Sequence, residues 1–193
     1  MKGSKHMRLL SIAALSLALT ACAGGSGLLG AKTFEDTYAV ATPERLAAAI
    51  MVVDDPVEGF RSASSRQVGR NPTLELRPSV WATKRGEVTS VSIIVETLTV
   101  DWTFPVAAYV GTPSIQVRPE RFDLDVDCGR YACDHREKAR LALAAEEVLA
   151  LVDDSHSDRI QIRVVGSTGV RLNGYIRKAE LVATIEALEK NSR

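Results

Sequence analysis

The sequence predicts an α+β domain: mainly antiparallel β-sheet, sandwich-like or curled, with two or three helices, the last at the C-terminus. Two observations carry this. From Thr73 to Arg177 apolar and polar residues alternate with a period of two over most of the chain, broken by glycine-containing turns. A stretch after Thr42, another near Ala145 and the final one from Lys178 instead show the composition or spacing of helices. Strands in series, with helices between and after them, belong to the α+β class rather than to alternating βα units.

Taken in order, Thr42-Pro43-Glu44 reads as a helix start: a hydroxyl N-cap, proline in the first turn and an early acid. Leu46, Ala49, Ile50 and Val53 then make one apolar stripe, and Asp54-Asp55-Pro56 ends it. Gly59 to Pro72 is polar and serine-rich and reads as a surface loop holding Arg61, Arg66 and Arg70. Leu74, Leu76, Val80 and Ala82 alternate with Glu75, Arg77, Ser79 and Trp81, and Pro78 marks that strand as an edge or a bulge. Lys84-Arg85-Gly86-Glu87 is a turn. Val88 to Asp101 is a long β-branched strand, with a bulge expected where Ile93-Ile94-Val95 breaks the alternation.

Trp102 to Val110 reads as a continuation kinked at Pro105, and Gly111-Thr112-Pro113 turns the chain toward Ile115 and Val117. Phe122, Leu124 and Val126 alternate with Asp123, Asp125 and Asp127, the clearest half-buried strand pattern. Asp134 to Asp154 fits two readings. Its Ala, Leu, Glu and Arg content suits one long helix, while its alternation to Leu143 suits a strand followed by a helix from Ala145 to Val152. We favour the second, since the loop between the two cysteines would then join antiparallel strands. Ile160, Ile162 and Val164 form a strand, Gly166-Ser167-Thr168-Gly169 a hairpin turn, and Val170 to Arg177 the return, with a bulge or second turn at Asn173-Gly174. The closing helix buries Leu181, Ile185 and Leu188 and offers a Glu186–Lys190 pair at i,i+4.

The N-terminus has a different character. Lys2, Lys5 and Arg8 precede an uncharged apolar and small-residue run from Leu9 to Ala21, which ends in Leu19-Thr20-Ala21-Cys22. As a helix that run of 13 residues spans about 20 Å, short of the roughly 30 Å of a bilayer's hydrocarbon, so it targets rather than spans. Leu19-Thr20-Ala21-Cys22 resembles the lipobox of bacterial lipoprotein precursors. The resemblance implies a signal peptide over 1–21, cleavage before Cys22, and a diacylglyceryl thioether and N-acyl chain, such as palmitate, on Cys22. Two or more such chains anchor stably, each buried methylene contributing about 0.8 kcal/mol. A plain secretory cut near Ala21 or Ala23 is the competitor. Ala23 is not the aspartate that alters sorting in enteric bacteria, so the expected location is the periplasmic side of the outer membrane. Residues 22–33, with Gly24, Gly25, Gly27 and Gly30, would form a flexible tether, and 34–193 a single periplasmic domain.

Of 193 residues, 172 remain without the first 21. They suffice for one domain with a sizeable core. The 24 basic and 24 acidic residues balance, and the leader takes three basic residues and no acid, which leaves the mature chain at −3. Such a chain is not expected to bind nucleic acid. In an oxidising compartment Cys128 and Cys133 read as a disulfide; a metal site with His135, or free thiols, are the alternatives. Asp101-Trp102 in a strand, the paired-cysteine loop and the Gly-x-x-Gly hairpin before a closing helix resemble uncharacterised proteobacterial envelope lipoproteins over about the last 110 residues. That resemblance implies a fold class and no activity.

Candidates for chemistry are few. His135 and His156 are the histidines after the leader, and no Gly-x-Ser-x-Gly elbow, EF-hand loop or phosphate-binding glycine loop accompanies them. Ser64-Ser65 lacks a signature around it. Asp125, Asp127 and Asp134 near His135, and Asp153, Asp154 and Asp158 near His156, read first as solvated faces and turns. Trp81, Trp102 and Tyr109 are candidates for a binding groove or for the core. No catalytic residue, cofactor or metal site is therefore expected. The expected function is a membrane-anchored, non-enzymatic domain that binds an envelope protein or supports envelope assembly. An envelope hydrolase around His135 and a small-ligand or lipid carrier are the competing readings.

Overall fold

The structure is a computed structural model; it describes residues 37–65, 75–129, 133–154 and 157–189. Cys22, the lipobox, the tether, Arg66, Arg70 and His156 lie outside these residues. The described chain is α+β, with two antiparallel sheets and a helix at its C-terminal end. Residues 37–39 are helical. The elements that follow are α1 (Pro43–Ala48), β1 (Ile50–Asp55), β2 (Phe60–Ser65), β3 (Leu76–Arg85), β4 (Val88–Thr99), β5 (Pro105–Val110), β6 (Ile115–Val117), β7 (Glu120–Cys128), β8 (Cys133–Leu143), α2 (Ala145–Asp153), β9 (Arg159–Gly166), β10 (Arg171–Arg177) and α3 (Lys178–Glu189).

The larger sheet has six strands in the order β1-β2-β3-β4-β8-β7, and the smaller four in the order β10-β9-β5-β6. Helix α3 lies over β1, β2 and β3, while β10 crosses β3 and β6 meets β8. One face of the large sheet is thus covered by α3 and the small sheet. The core is continuous through this layer: Ala63, Val80, Ile93, Val95, Ala139 and Leu141 on one side, Val110, Ile162, Val164, Ile176, Leu181 and Leu188 on the other. The opposite face of the large sheet carries charge, as an antiparallel sheet with one wet side does. There Glu96 pairs with Arg77 at 3.8 Å and Arg136 at 3.1 Å, and Lys138 meets Asp123 at 2.6 Å.

Several expectations hold. Thr42 caps α1, accepting from Arg45 N at 3.3 Å, with Pro43 at its start. The split of Asp134 to Asp154 into strand and helix is observed, and Cys128 and Cys133 form a disulfide linking β7 to β8. The turns at Gly86 and Gly169 both place glycine at positive φ.

Other expectations are corrected. The first helix stops at Ala48, and Ile50–Asp55, assigned to it by the stripe that includes Ile50 and Val53, is a strand paired with β2. Ile50, Val52 and Val53 are β-branched, and a sheet partner outweighs the helical spacing. The loop expected over Gly59 to Pro72 contains β2, held between β1 and β3. Its small side chains fit beneath α3. Pro78 lies on an interior strand, yet the β2 register ends at Ser64↔Trp81, so no ladder bond is asked of it from that side. Pairing of β3 with β4 is unbroken from Leu76↔Thr97 to Arg85↔Val88, so Ile93-Ile94-Val95 holds no bulge.

Within Trp102 to Val110, Pro105–Val110 is a strand as expected, but it does not extend β4. The chain leaves the large sheet after Thr99 and enters the small sheet at Pro105. Strand β7 is not half-buried: Phe122 is 54%, Leu124 52% and Val126 42% exposed. Asn173-Gly174 is neither bulge nor turn, for β10 pairs with β9 without a break. A side chain at Gly174 would lie 3.3 Å from both Leu76 and Pro78, so glycine there allows the two sheets to approach.

Gly166 has a similar role where the chain crosses between sheets. A Cβ there would press on the carbonyl oxygen of Thr103 and come 2.7 Å from Val170 Cγ1. Backbone cannot yield as a side-chain tip can. Gly166→Ala is therefore expected to lower stability by about 2–3 kcal/mol, read as a shift of the urea midpoint at unchanged slope.

Candidate functional site

The site is assembled by the crossover between the sheets. At Thr103 and Phe104 the chain belongs to neither ladder, and their N–H groups need acceptors. Glu137 of β8 supplies them: its side chain is fully buried, Oε1 accepts from Thr103 N, and both carboxyl oxygens lie 3.0 Å from Phe104 N. Thr99 Oγ1 donates to Asp101 O at 2.6 Å and lies 3.1 Å from Thr103 Oγ1. Ser167 N, in the hairpin turn of the small sheet, lies 3.1 Å from Thr103 O and 3.0 Å from Phe104 O. These bonds hold Phe104 at φ 44, a conformation that non-glycine residues rarely adopt.

The strained turn puts two aromatic rings at the edge of the molecule. Trp102 stacks on Phe104 with centroids 5.8 Å apart and meets the His135 ring edge-on at 4.6 Å. The Arg121 guanidinium of β7 sits 5.1 Å over Phe104. His135 Nδ1 lies 2.6 Å from Val100 O, an atom that only accepts, so Nδ1 carries the proton. Directly opposite residues of an antiparallel pair share a face. Val126 stands opposite His135, and Leu124 opposite Glu137. Arg121, Leu124, Val126, Trp102, Phe104 and His135 thus form one strip along β7, which is the last strand of its sheet. Phe104 is 37% exposed.

The other face of β7 is acidic. Asp123 accepts from Lys138 at 2.6 Å, and this hydrogen bond together with the lysine's charge holds its carboxyl below the usual range. Asp127 stands opposite Asp134, and Asp125 opposite Arg136. Alternation places His135 on the face away from Asp125, Asp127 and Asp134, so the structure does not bring them together as a catalytic or metal-binding group. Among the described residues no group of three or more His, Cys, Asp or Glu is placed to hold a metal ion. The three candidate aromatics do not line one groove. Trp81 is on the charged face of the large sheet beneath Arg140 at 4.6 Å, Trp102 is in the crossover, and Tyr109 is on the outer face of the small sheet.

Ser65 is buried, donating to Glu180 Oε1 at 2.5 Å and accepting from Val80 N at 2.8 Å. Arg61, expected in a loop, pairs with Asp54 across β1 and β2 at 2.9 Å. The crossover clamp itself, Glu137 with Phe104, has no signature in the sequence, because both residues sit in ordinary alternating or irregular stretches. No helix among the described residues is long and apolar enough to cross a membrane. No family model, curated protein or solved structure matches this chain.

Proposed function

We infer that this chain is a lipid-anchored envelope protein whose folded domain is a non-enzymatic module that docks an envelope protein along β7. The observation that supports this best is the exposed strip of Arg121, Leu124 and Val126 on a nine-residue edge strand, with Phe104 of the crossover beside it. Arginine and aromatic side chains dominate the energetics of protein interfaces, and an open edge offers backbone groups to a further strand. The anchor rests on the lipobox ending in Cys22. The geometry also suits a tethered module. Tyr38, near the point where the described chain begins, joins Glu180, which joins Ser65 of β2. Strand β7 lies four strand spacings from β2, about 19 Å across the sheet. The docking edge therefore faces away from the side where the chain enters.

Two measurements test the reading. Cys22→Ala is expected to move the protein from the membrane fraction to the soluble one, and equal partitioning would remove the anchor. A photoreactive residue at position 124 is expected to capture a discrete protein in intact cells, and the adduct is expected to disappear when Val126→Asp is added. Capture unchanged by Val126→Asp, or equal capture from position 79 on the charged face, would remove the docking edge.

A further inference from the structure

The outer face of the small sheet has a composition unlike the rest of the domain. Alternation places Arg159, Gln161, Arg163 and Val165 of β9 on it, with Arg171, Asn173, Tyr175 and Arg177 of β10. Register adds Ala107 and Tyr109 of β5, opposite Val165 and Arg163, and Gln116 of β6, opposite Tyr109. Four of these eleven positions are arginine and none is acidic, although the chain as a whole is neutral. The Arg177 end of this face is covered and committed: Asp158, just before β9, binds Arg177 at 2.6 Å, Ala41 O accepts from its Nη1, and Tyr175 packs against Tyr38 with centroids 5.5 Å apart, Arg159 lying 4.6 Å over the Tyr175 ring. Arg163 is positioned rather than neutralised: its Nε donates to Asn173 Oδ1 at 3.2 Å, which leaves the guanidinium fork its charge.

Beside Arg163 the sheet opens into a cleft of about 480 Å³ lined by Tyr109, Thr112, Ser114, Gln161, Arg163 and Asn173. One aromatic ring, two hydroxyls, two amides and a cation converge there. Amides and hydroxyls both donate and accept, as the hydroxyls of a sugar do, and a tyrosine ring offers a flat apolar surface to a pyranose. The arginines are spaced along the face. Arg159 and Arg163 are four residues, roughly 13 Å, apart along β9, and Arg171, the diagonal neighbour of Arg163, lies about 7–8 Å from it, a spacing that lets each of the two meet a carboxylate on a separate unit of one chain. That fits the bidentate match between arginine and carboxylate.

We propose that the outer face of the small sheet binds an acidic saccharide, with a sugar ring against Tyr109 in the cleft and its carboxylate on Arg163. A further acidic unit of the same chain reaches Arg171, which lies diagonally across from Arg163 in the β9–β10 register. The β7 edge is a strand of the other sheet, so this site stands or falls separately from the docking function.

The test uses the whole domain and titration calorimetry with tetragalacturonate as probe. Binding is expected, weakened about tenfold or more by Arg163→Gln, the loss of a charge-assisted pair, and several-fold by Tyr109→Ala. Neutral tetragalactose is expected to bind at least about tenfold more weakly. Lys84→Gln, in the β3–β4 hairpin of the large sheet, should change nothing. Arg163 and Lys84 both lie at the surface, so neither variant should compromise folding. Three results would overturn the proposal: no binding of tetragalacturonate, binding indifferent to Arg163→Gln, or equal or tighter binding of eight-residue oligothymidylate or of phosphatidylglycerol vesicles. The last would mean that the face responds to negative charge and not to sugar.

Discussion

Glu137→Ala is expected to cost about 3–5 kcal/mol, a large share of a small domain's stability. The carboxyl group is fully buried and serves the N–H groups of Thr103 and Phe104. Stranding a buried donor costs about 1–3 kcal/mol for each group left unsatisfied. Removing the acceptor strands two donors that cannot themselves be removed, since they are backbone. Phe104 would also keep the cost of its φ of 44 with nothing to offset it. Glu137→Leu is the discriminating variant. It restores most of the volume and no acceptor, so it should remain nearly as unstable as Glu137→Ala, whereas Glu137→Gln keeps one oxygen and should lose only about 1–2 kcal/mol. Urea midpoints measure all three, and Trp102 fluorescence, recorded in a Trp81→Phe background, reports the crossover, its ring lying 5.8 Å from Phe104 and 4.6 Å from His135. If Glu137→Leu matched the wild type, the clamp would be dispensable and the exposed strip along β7 would need another support.

That clamp marks the boundary of what the sequence discloses. Features closed within a few residues were legible. The Gly86 and Gly169 turns, the Thr42 cap, the strand-then-helix division of Asp134 to Asp154 and the closing helix each depend on local chemistry. Features decided by distant partners were not. Ser65 reads as part of a polar loop because its partner, Glu180, is 115 residues away. Ile50 and Val53 complete a helical stripe in sequence, and only β2 reveals them as strand. Alternation in Phe122 to Asp127 shows that the two faces of β7 differ. It does not say whether anything covers the apolar one, and the small sheet stops short of it. The arginine face was half legible. Arg159, Gln161 and Arg163 fill the polar positions of one predicted strand and Arg171, Asn173 and Tyr175 those of its hairpin partner, but the register that joins them to Tyr109 passes through β5, whose assignment to the second sheet required the crossover.

The second large effect is expected at Glu180, and it concerns how the N-terminal part of the domain is seated. Glu180 is 2% exposed on α3 and receives the hydroxyls of Tyr38 and of Ser65. Both donors are themselves committed: Tyr38 Oη accepts from Arg177 N at 3.0 Å, and Ser65 Oγ from Val80 N at 2.8 Å. A single carboxyl group thus ties the entering chain, the β2–β3 pair and α3 together. Around it Tyr38, Ala41 and Leu46 form a small cluster with Tyr175 and Ala179, apart from the main core. Glu180→Leu should destabilise by about 3–4 kcal/mol, because two buried hydroxyls lose an acceptor that apolar volume cannot replace. Tyr38→Phe and Ser65→Ala should cost about 1–2 kcal/mol each. The pair should be non-additive with Glu180→Gln, since all three act through one group. The two single variants should differ in where the loss is felt. Ser65→Ala leaves Val80 N without its partner in the main core, so protection falls across β2 and β3. Tyr38→Phe strikes the satellite cluster, so amide exchange should quicken over residues 37–48 while the core strands keep their protection. Uniform loss of protection in Tyr38→Phe would mean that the two clusters unfold as one unit and that the entering segment is not separately releasable.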